Sequence, residues 1–177
     1  MWVAVGGSPQ SVVRAGTLGL PLTVAIIGGQ PARFAPLVEL YREAPAHAGH
    51  APEVGRVAIN THGFVGATSS RADAAFAAPY RGMMNRIGRE RGWPPSGRRE
   101  YDALRSPHGA VAAGSPEQVA EKLLYEHALF GHDRFLMQMS VGAVAHADVL
   151  RSIELFATQV APVVREEVAR RATPAPV

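Results

Sequence analysis

The feature that most constrains this chain is an alternation, repeated four times. A short β-branched or aliphatic run gives way to a segment whose apolar residues recur at helical spacing. The runs are Trp2 to Val5, Leu22 to Ile27, Arg56 to Val65 and Arg134 to Val141. Leu22 to Ile27 is a near-continuous apolar run stopped by Gly28-Gly29, the pattern of a strand covered on both faces. Strands separated by helices of about ten residues or more cannot pair as hairpins. They imply βαβ units, right-handed crossovers and a parallel sheet.

The punctuation between the runs supports helices. Ser8 at the N-cap and Pro9 at the first helical position open a helix to Leu18, closed by Gly19. Pro31 opens a second, with Phe34, Leu37, Val38 and Tyr41 on one face. A third spans Arg71 to Arg91 despite Pro79 and Gly82. Gly92 to Pro107 reads as a polar insertion with a short helix around Glu100 to Leu104, and Gly109 to Ala113 as a short strand or lead-in. Ser115-Pro116-Glu117-Gln118 matches a capping box and predicts a helix to Phe130. The last helix carries Val149, Ile153, Phe156 and Val160 on one face until Pro162 perturbs it. Residues 1–171 are expected to form one domain, and 172–177 a flexible tail.

Composition removes several function classes. No cysteine is present, so a disulfide scaffold and a thiolate metal site are excluded. The net charge is only +3, and Lys122 is the sole lysine. The densest basic stretch, Arg81 to Arg105, is broken by Glu90, Glu100 and Asp102 and lacks interleaved aromatics, so no nucleic-acid partner is expected. No window of 18 apolar residues and no signal sequence are visible, which predicts a cytoplasmic protein without membrane contact. His47 and His50 sit in a Pro- and Gly-rich loop, and no metal is expected there. The chain has no GxSxG elbow and no Walker motif.

The sharpest chemical signal is Gly6-Gly7-Ser8-Pro9-Gln10-Ser11, between the first strand and the helix it opens. Glycines let a backbone approach an anion, and the free N–H groups of a first helical turn point at it. Ser11, one turn in, adds a hydroxyl donor. An ordinary capped helix start explains the same residues, so both readings stand at this level. Asn60, Thr61 and His62 fall where the third strand should end, and His62 is the candidate proton donor there. The dinucleotide fingerprint is missing after the first strand. A complete barrel takes about 250 residues, and only four convincing βα units are present.

The stretch WVAVGGSPQSVVRAGTLGLPLTVAIIGG resembles the middle of bacterial luciferase-like, flavin-dependent monooxygenases. GSPEQVAEKLLYEHALFGHDRFLMQMSVG and LRSIELFATQVAPVV resemble that family's C-terminal signature, so the resemblance covers Met1 to about Glu167. It implies a partial (β/α)8 TIM-barrel of about four C-terminal βα units, with a helical insertion before the last. It also implies an FMN phosphate held at Gly7, Ser8 and Ser11, with Val5 and Ile26 approaching the flavin ring. A deazaflavin coenzyme is the variant cofactor.

Two functions follow. In the first, reduced flavin and O2 oxygenate a small organic substrate. In the second, the chain is a non-catalytic half-barrel that self-associates or needs a partner half. In either case the outer strands would be unpaired and an inner face made of Val3, Val5, Val24, Ile26, Val57, Ile59 and part of the last strand would be wet. That predicts a homodimer or larger oligomer.

Overall fold

The computed structural model describes residues 1–172. In chain order its elements are β1 (Val3–Val5), α1 (Pro9–Thr17), β2 (Leu22–Ile26), α2 (Ala35–His47), β3 (Val57–Val65), α3 (Ser69–Arg91), α4 (Arg98–Arg105), β4 (Ala112–Gly114), α5 (Pro116–Phe130), β5 (Arg134–Gln138), α6 (His146–Leu155) and α7 (Ala161–Ala172). Of the tail expected at 172–177, Ala172 ends α7, and 173–177 lie outside the described residues.

All strand pairs are parallel, in the order β1-β2-β3-β5. β2 pairs with β3 as far as Thr61, and β5 pairs with it as far as His62. Beyond that point β3 runs on alone, and β4 joins it through Gly63↔Ala112 to Val65↔Gly114. Gly63 is what admits β4: a Cβ there would stand 2.6 Å from the Ala112 carbonyl and 2.7 Å from Met137 Sδ. The architecture is a partial (β/α)8 barrel, four successive βα units with α3, α4 and β4 inserted before the last.

The helices cover one face of the sheet. Val5, Leu22, Val24, Ile26, Val57 and Ile59 pack there against Val12 and Ala15 of α1, Val38 and Tyr41 of α2, and Phe130 of α5. Phe135 and Met137 of β5 join the same side through a cluster with Leu123, Leu155 and Val160. The expected inner face is therefore corrected. Large apolar side chains go where helices can cover them, because burial at about 25 cal/mol per Å² decides the facing. The alternation leaves Ala4, Thr23, Ala25, Ala58, Asn60, His62, Arg134, Leu136 and Gln138 on the opposite face.

That second face is curled. Trp2, one residue before β1, lies 4.9 Å from the Arg134 guanidinium at the start of β5 and 5.6 Å from that of Arg56. β1 and β5 are three strand spacings apart, about 14 Å on a flat sheet, and the long Trp2 and Arg134 side chains bridge the curled face between them. At the other end the protruding tip of β3 is roofed by α3 and α4. Phe64 stacks on Phe76 at 5.4 Å, and Tyr80 and Tyr101 continue the aromatic cluster.

Local signals act largely as their chemistry dictates. Ser115 Oγ accepts from Gln118 N–H while Gln118 Oε1 accepts from Ser115 N–H, a reciprocal cap on α5. Thr68 caps α3, which is continuous through Pro79. Pro162 does not end the last helix. A π turn over Phe156–Val160, with Ala161 N–H reaching back to the Phe156 carbonyl, takes up the backbone that proline cannot bond.

Candidate functional site

Because every strand is parallel, all strand-to-helix loops that follow them open at one end of the sheet. Gly7 follows β1 with φ +119°, a conformation that favours glycine. Ser8 occupies the N-cap position of α1, but its hydroxyl donates to the Gln10 side chain (Oε1, 3.1 Å) and accepts no capping bond from a backbone N–H of the helix. Pro9 has no N–H, and the first backbone bond of the turn runs from Val12 N–H to the Ser8 carbonyl. The N–H groups of Gln10 and Ser11 thus head a helix without a side-chain cap and without an acidic residue in its first turn. Ser8 and Gln10 are exposed, while Gly7 and Ser11 are half-buried. Together they form a positively polarised turn facing solvent.

The next loop contributes a cation that sequence reasoning missed. Gly28-Gly29 ends β2, and Arg33 folds back so that its Nη1 would lie 3.7 Å from a Cβ on Gly29. Phe34, the next residue, touches the β1–α1 loop, 3.7 Å from where a Cβ on Gly7 would stand. The two loops are therefore neighbours, and Arg33 has no ion-pair partner among the described residues. The only hint in the sequence was an arginine shortly after a strand-ending glycine pair.

His62 stands one residue above the level of Gly7 in strand register and two strands away, about 10 Å across the sheet. It is 7% exposed, edge-on to Tyr80 at 5.7 Å, and its Nδ1 has no hydrogen-bond partner. Burial lowers its pKa from the ordinary value, opposed only in part by a hydrogen bond that the ring donates to Gln138, so burial favours the neutral ring. His62 and Gln138 border a cavity of about 630 Å³ whose remaining wall is mostly apolar, including Met83, Ile87, Met139 and Phe156. A buried imidazole with an unused nitrogen at the edge of a largely apolar cavity can exchange a proton with a bound molecule.

Val5 and Ile26 occupy different ground. Their side chains are 5% and 0% exposed and sit in the helix-side core, so only their main chain faces the mouth of the sheet. Asn60 lies on the open face and donates to the Leu136 carbonyl at 3.3 Å, and Thr61 is buried, bonded to the Ile26 and Ala110 carbonyls. His47 and His50 are each tied to a backbone carbonyl, of Glu43 and Thr17 respectively.

The family model described as luciferase-like monooxygenase matches residues 1–133. No curated protein matches the sequence. Among solved structures, a monooxygenase from Streptomyces bottropensis is 20% identical with a TM-score of 0.70, over 91% of this chain and 47% of its own. The oxygenating constituent of 3,6-diketocamphane monooxygenase from Pseudomonas putida, in complex with FMN, is 22% identical with a TM-score of 0.65, over 92% and 48%. The coenzyme F420-dependent tetrahydromethanopterin reductase from Methanopyrus kandleri is 16% identical with a TM-score of 0.63, over 91% and 50%. The chain spans about half the length of these structures, and at such identities they establish the fold alone.

Proposed function

Since the chain belongs to the luciferase-like monooxygenase family, we propose that it carries the phosphate-binding half of a flavin-dependent oxidoreductase. The observation that carries this reading is the uncapped N-terminus of α1 behind Gly7, next to the loop that carries Arg33, which has no ion-pair partner among the described residues. The residues present fit a phosphate: a glycine backbone that lets it close in, main-chain N–H groups, a hydroxyl and a nearby cation. The FMN held by the Pseudomonas putida relative favours FMN, and the coenzyme of the Methanopyrus kandleri reductase makes a deazaflavin the variant.

Bound there, reduced flavin supplies the electrons with which O2 oxygenates a small organic substrate. The chain's own part is positioning. Gly7, Ser8 and Ser11, with the N–H groups of Gln10 and Ser11, hold the phosphate. The main chain of Val5 and Ile26 borders the ring, and Arg33 offsets the negative charge. Neutral His62 holds or releases a proton at the edge of the apolar cavity. The outer edges of β1 and β5, unpaired among the described residues, favour a second reading, a non-catalytic half-barrel, and the same experiment separates the two.

Ser11→Ala should weaken FMN about tenfold or more, since a hydrogen bond to a charged group is worth roughly 1.5–3 kcal/mol. Riboflavin, which lacks the phosphate, should be unaffected. Fluorescence titration of both ligands reads this. Equal losses contradict the phosphate assignment, and no binding of either ligand by the unmodified chain favours the non-catalytic reading.

A further inference from the structure

The lower end of the sheet, away from the strand-to-helix loops, carries an opening of its own. α7 follows the π turn and lies along α5, yet none of its residues is buried. Val164 and Val168, four apart and so on one face of α7, are half-buried. With them, Leu123 of α5, Phe135 at the start of β5 and Phe156 of the π turn wall a cavity of about 320 Å³. That volume lies at the small end of ligand pockets, which run to about 300–1,000 Å³.

The polar groups of this cavity favour an anion. His132 Nδ1 is shielded from solvent and has no hydrogen-bond partner, and the His127 ring stands edge-on to it at 5.3 Å. Burial, helped by His127, pulls the His132 pKa down to about 4, a shift that a carboxylate alongside would oppose. Arg165, exposed on α7, has no ion-pair partner among the described residues. The remaining charges are committed: Asp133 Oδ2 accepts the Val57 N–H at 2.8 Å, and Arg134 sets its guanidinium over the Trp2 ring at 4.9 Å.

We infer that the cavity between α5 and α7 is a binding site for a compact carboxylate with an aryl or branched alkyl body. The body fills the space beneath Val164 and Val168 and removes apolar surface from water. The carboxylate sits at the rim and accepts from His132 Nδ1 and the Arg165 guanidinium. An uncharged molecule of the same shape fills the same space but leaves both donors unused. The cavity is separate from the flavin turn, since Phe135 pairs with Ile59 near the start of β3, whereas Gly7 and His62 lie toward the other end of the sheet.

The test titrates phenylbutyrate and its uncharged counterpart phenylbutanol into the whole chain and into Arg165→Gln, followed by backbone amide NMR. The carboxylate should shift the His132, Phe135 and Val164 amides saturably and bind at least about tenfold more tightly than the alcohol. Arg165→Gln, at an exposed position, should remove most of that difference and leave the alcohol's affinity unchanged. Saturation with FMN should leave phenylbutyrate in place, and a chain that binds no FMN should still take it up. Absence of saturable binding, equal affinity for the two compounds, or a preference that survives Arg165→Gln overturns the inference. So do displacement of phenylbutyrate by FMN and shifts confined to the Gly7 to Ser11 turn or the cavity at His62.

Discussion

Replacing Glu126 by glutamine should remove a pH dependence of stability that the unmodified chain carries. Glu126 is fully buried on α5 one turn from Lys122, and neither of its carboxyl oxygens has a hydrogen-bond partner. Lys122 spends its ammonium elsewhere, donating to the Val111 carbonyl at 2.6 Å and the Arg105 carbonyl at 3.3 Å. Burial therefore pushes the Glu126 carboxyl up to about 8, opposed only in part by the Lys122 charge. Below the ordinary carboxylate pKa of 4.5 the folded and unfolded chains both hold this proton. Above it the unfolded chain releases the proton while the folded chain keeps it, so unfolding becomes easier as pH rises, by up to about 1.4 kcal/mol per pH unit. Lys122 acts in a higher window and with the opposite sign. Burial pulls its pKa from 10.5 to about 8, so stability recovers as pH rises between those values. The wild-type profile should fall from about pH 5, pass a minimum near 8 and rise again. Glu126→Gln should lack the fall and be the more stable protein at pH 8, by on the order of 2–4 kcal/mol. Urea midpoints by circular dichroism at half-unit steps from pH 5 to 9.5 measure this. Parallel profiles for the two proteins would refute the reasoning.

Two further outcomes are expected. Gly63→Ala should cost about 1–3 kcal/mol in denaturant unfolding, because its methyl meets the Ala112 carbonyl and Met137, whereas Gly82→Ala, with nothing within 4 Å on α3, should be neutral or slightly stabilising. The His62 ring, followed by NMR, should titrate below 6.5, because burial disfavours its charged form; a midpoint at or above that value would contradict the described environment.

Much of the fold was legible in the sequence because its signals are local. Ser115-Pro116-Glu117-Gln118 specifies a cap by bonds within four residues, and the aliphatic runs mark strands wherever they fold. The facing of those strands was not legible. In Val3–Val5 and Leu22–Ile26 both alternating sets are apolar or small, so periodicity alone does not say which set meets the helices. The size difference between Val24 or Ile26 and Ala25 does, once the helices are known to lie on one side only. For the candidate site, Gly7 and Ser11 stood out because glycine and helix-start chemistry are local, and His62 because it lies toward the C-terminal end of a strand. Arg33 did not, since its role depends on two loops becoming neighbours through parallel pairing.

The central claim is that the turn from Gly7 to Ser11 receives the phosphate of a flavin-type cofactor. Backbone amide NMR of the chain titrated with FMN and, separately, with riboflavin tests it most directly. With FMN the amide signals of Gly7, Ser8, Gln10 and Ser11 should shift together and saturably, and riboflavin should leave them in place. FMN-induced shifts that bypass this turn, or equal shifts with riboflavin, would contradict the account.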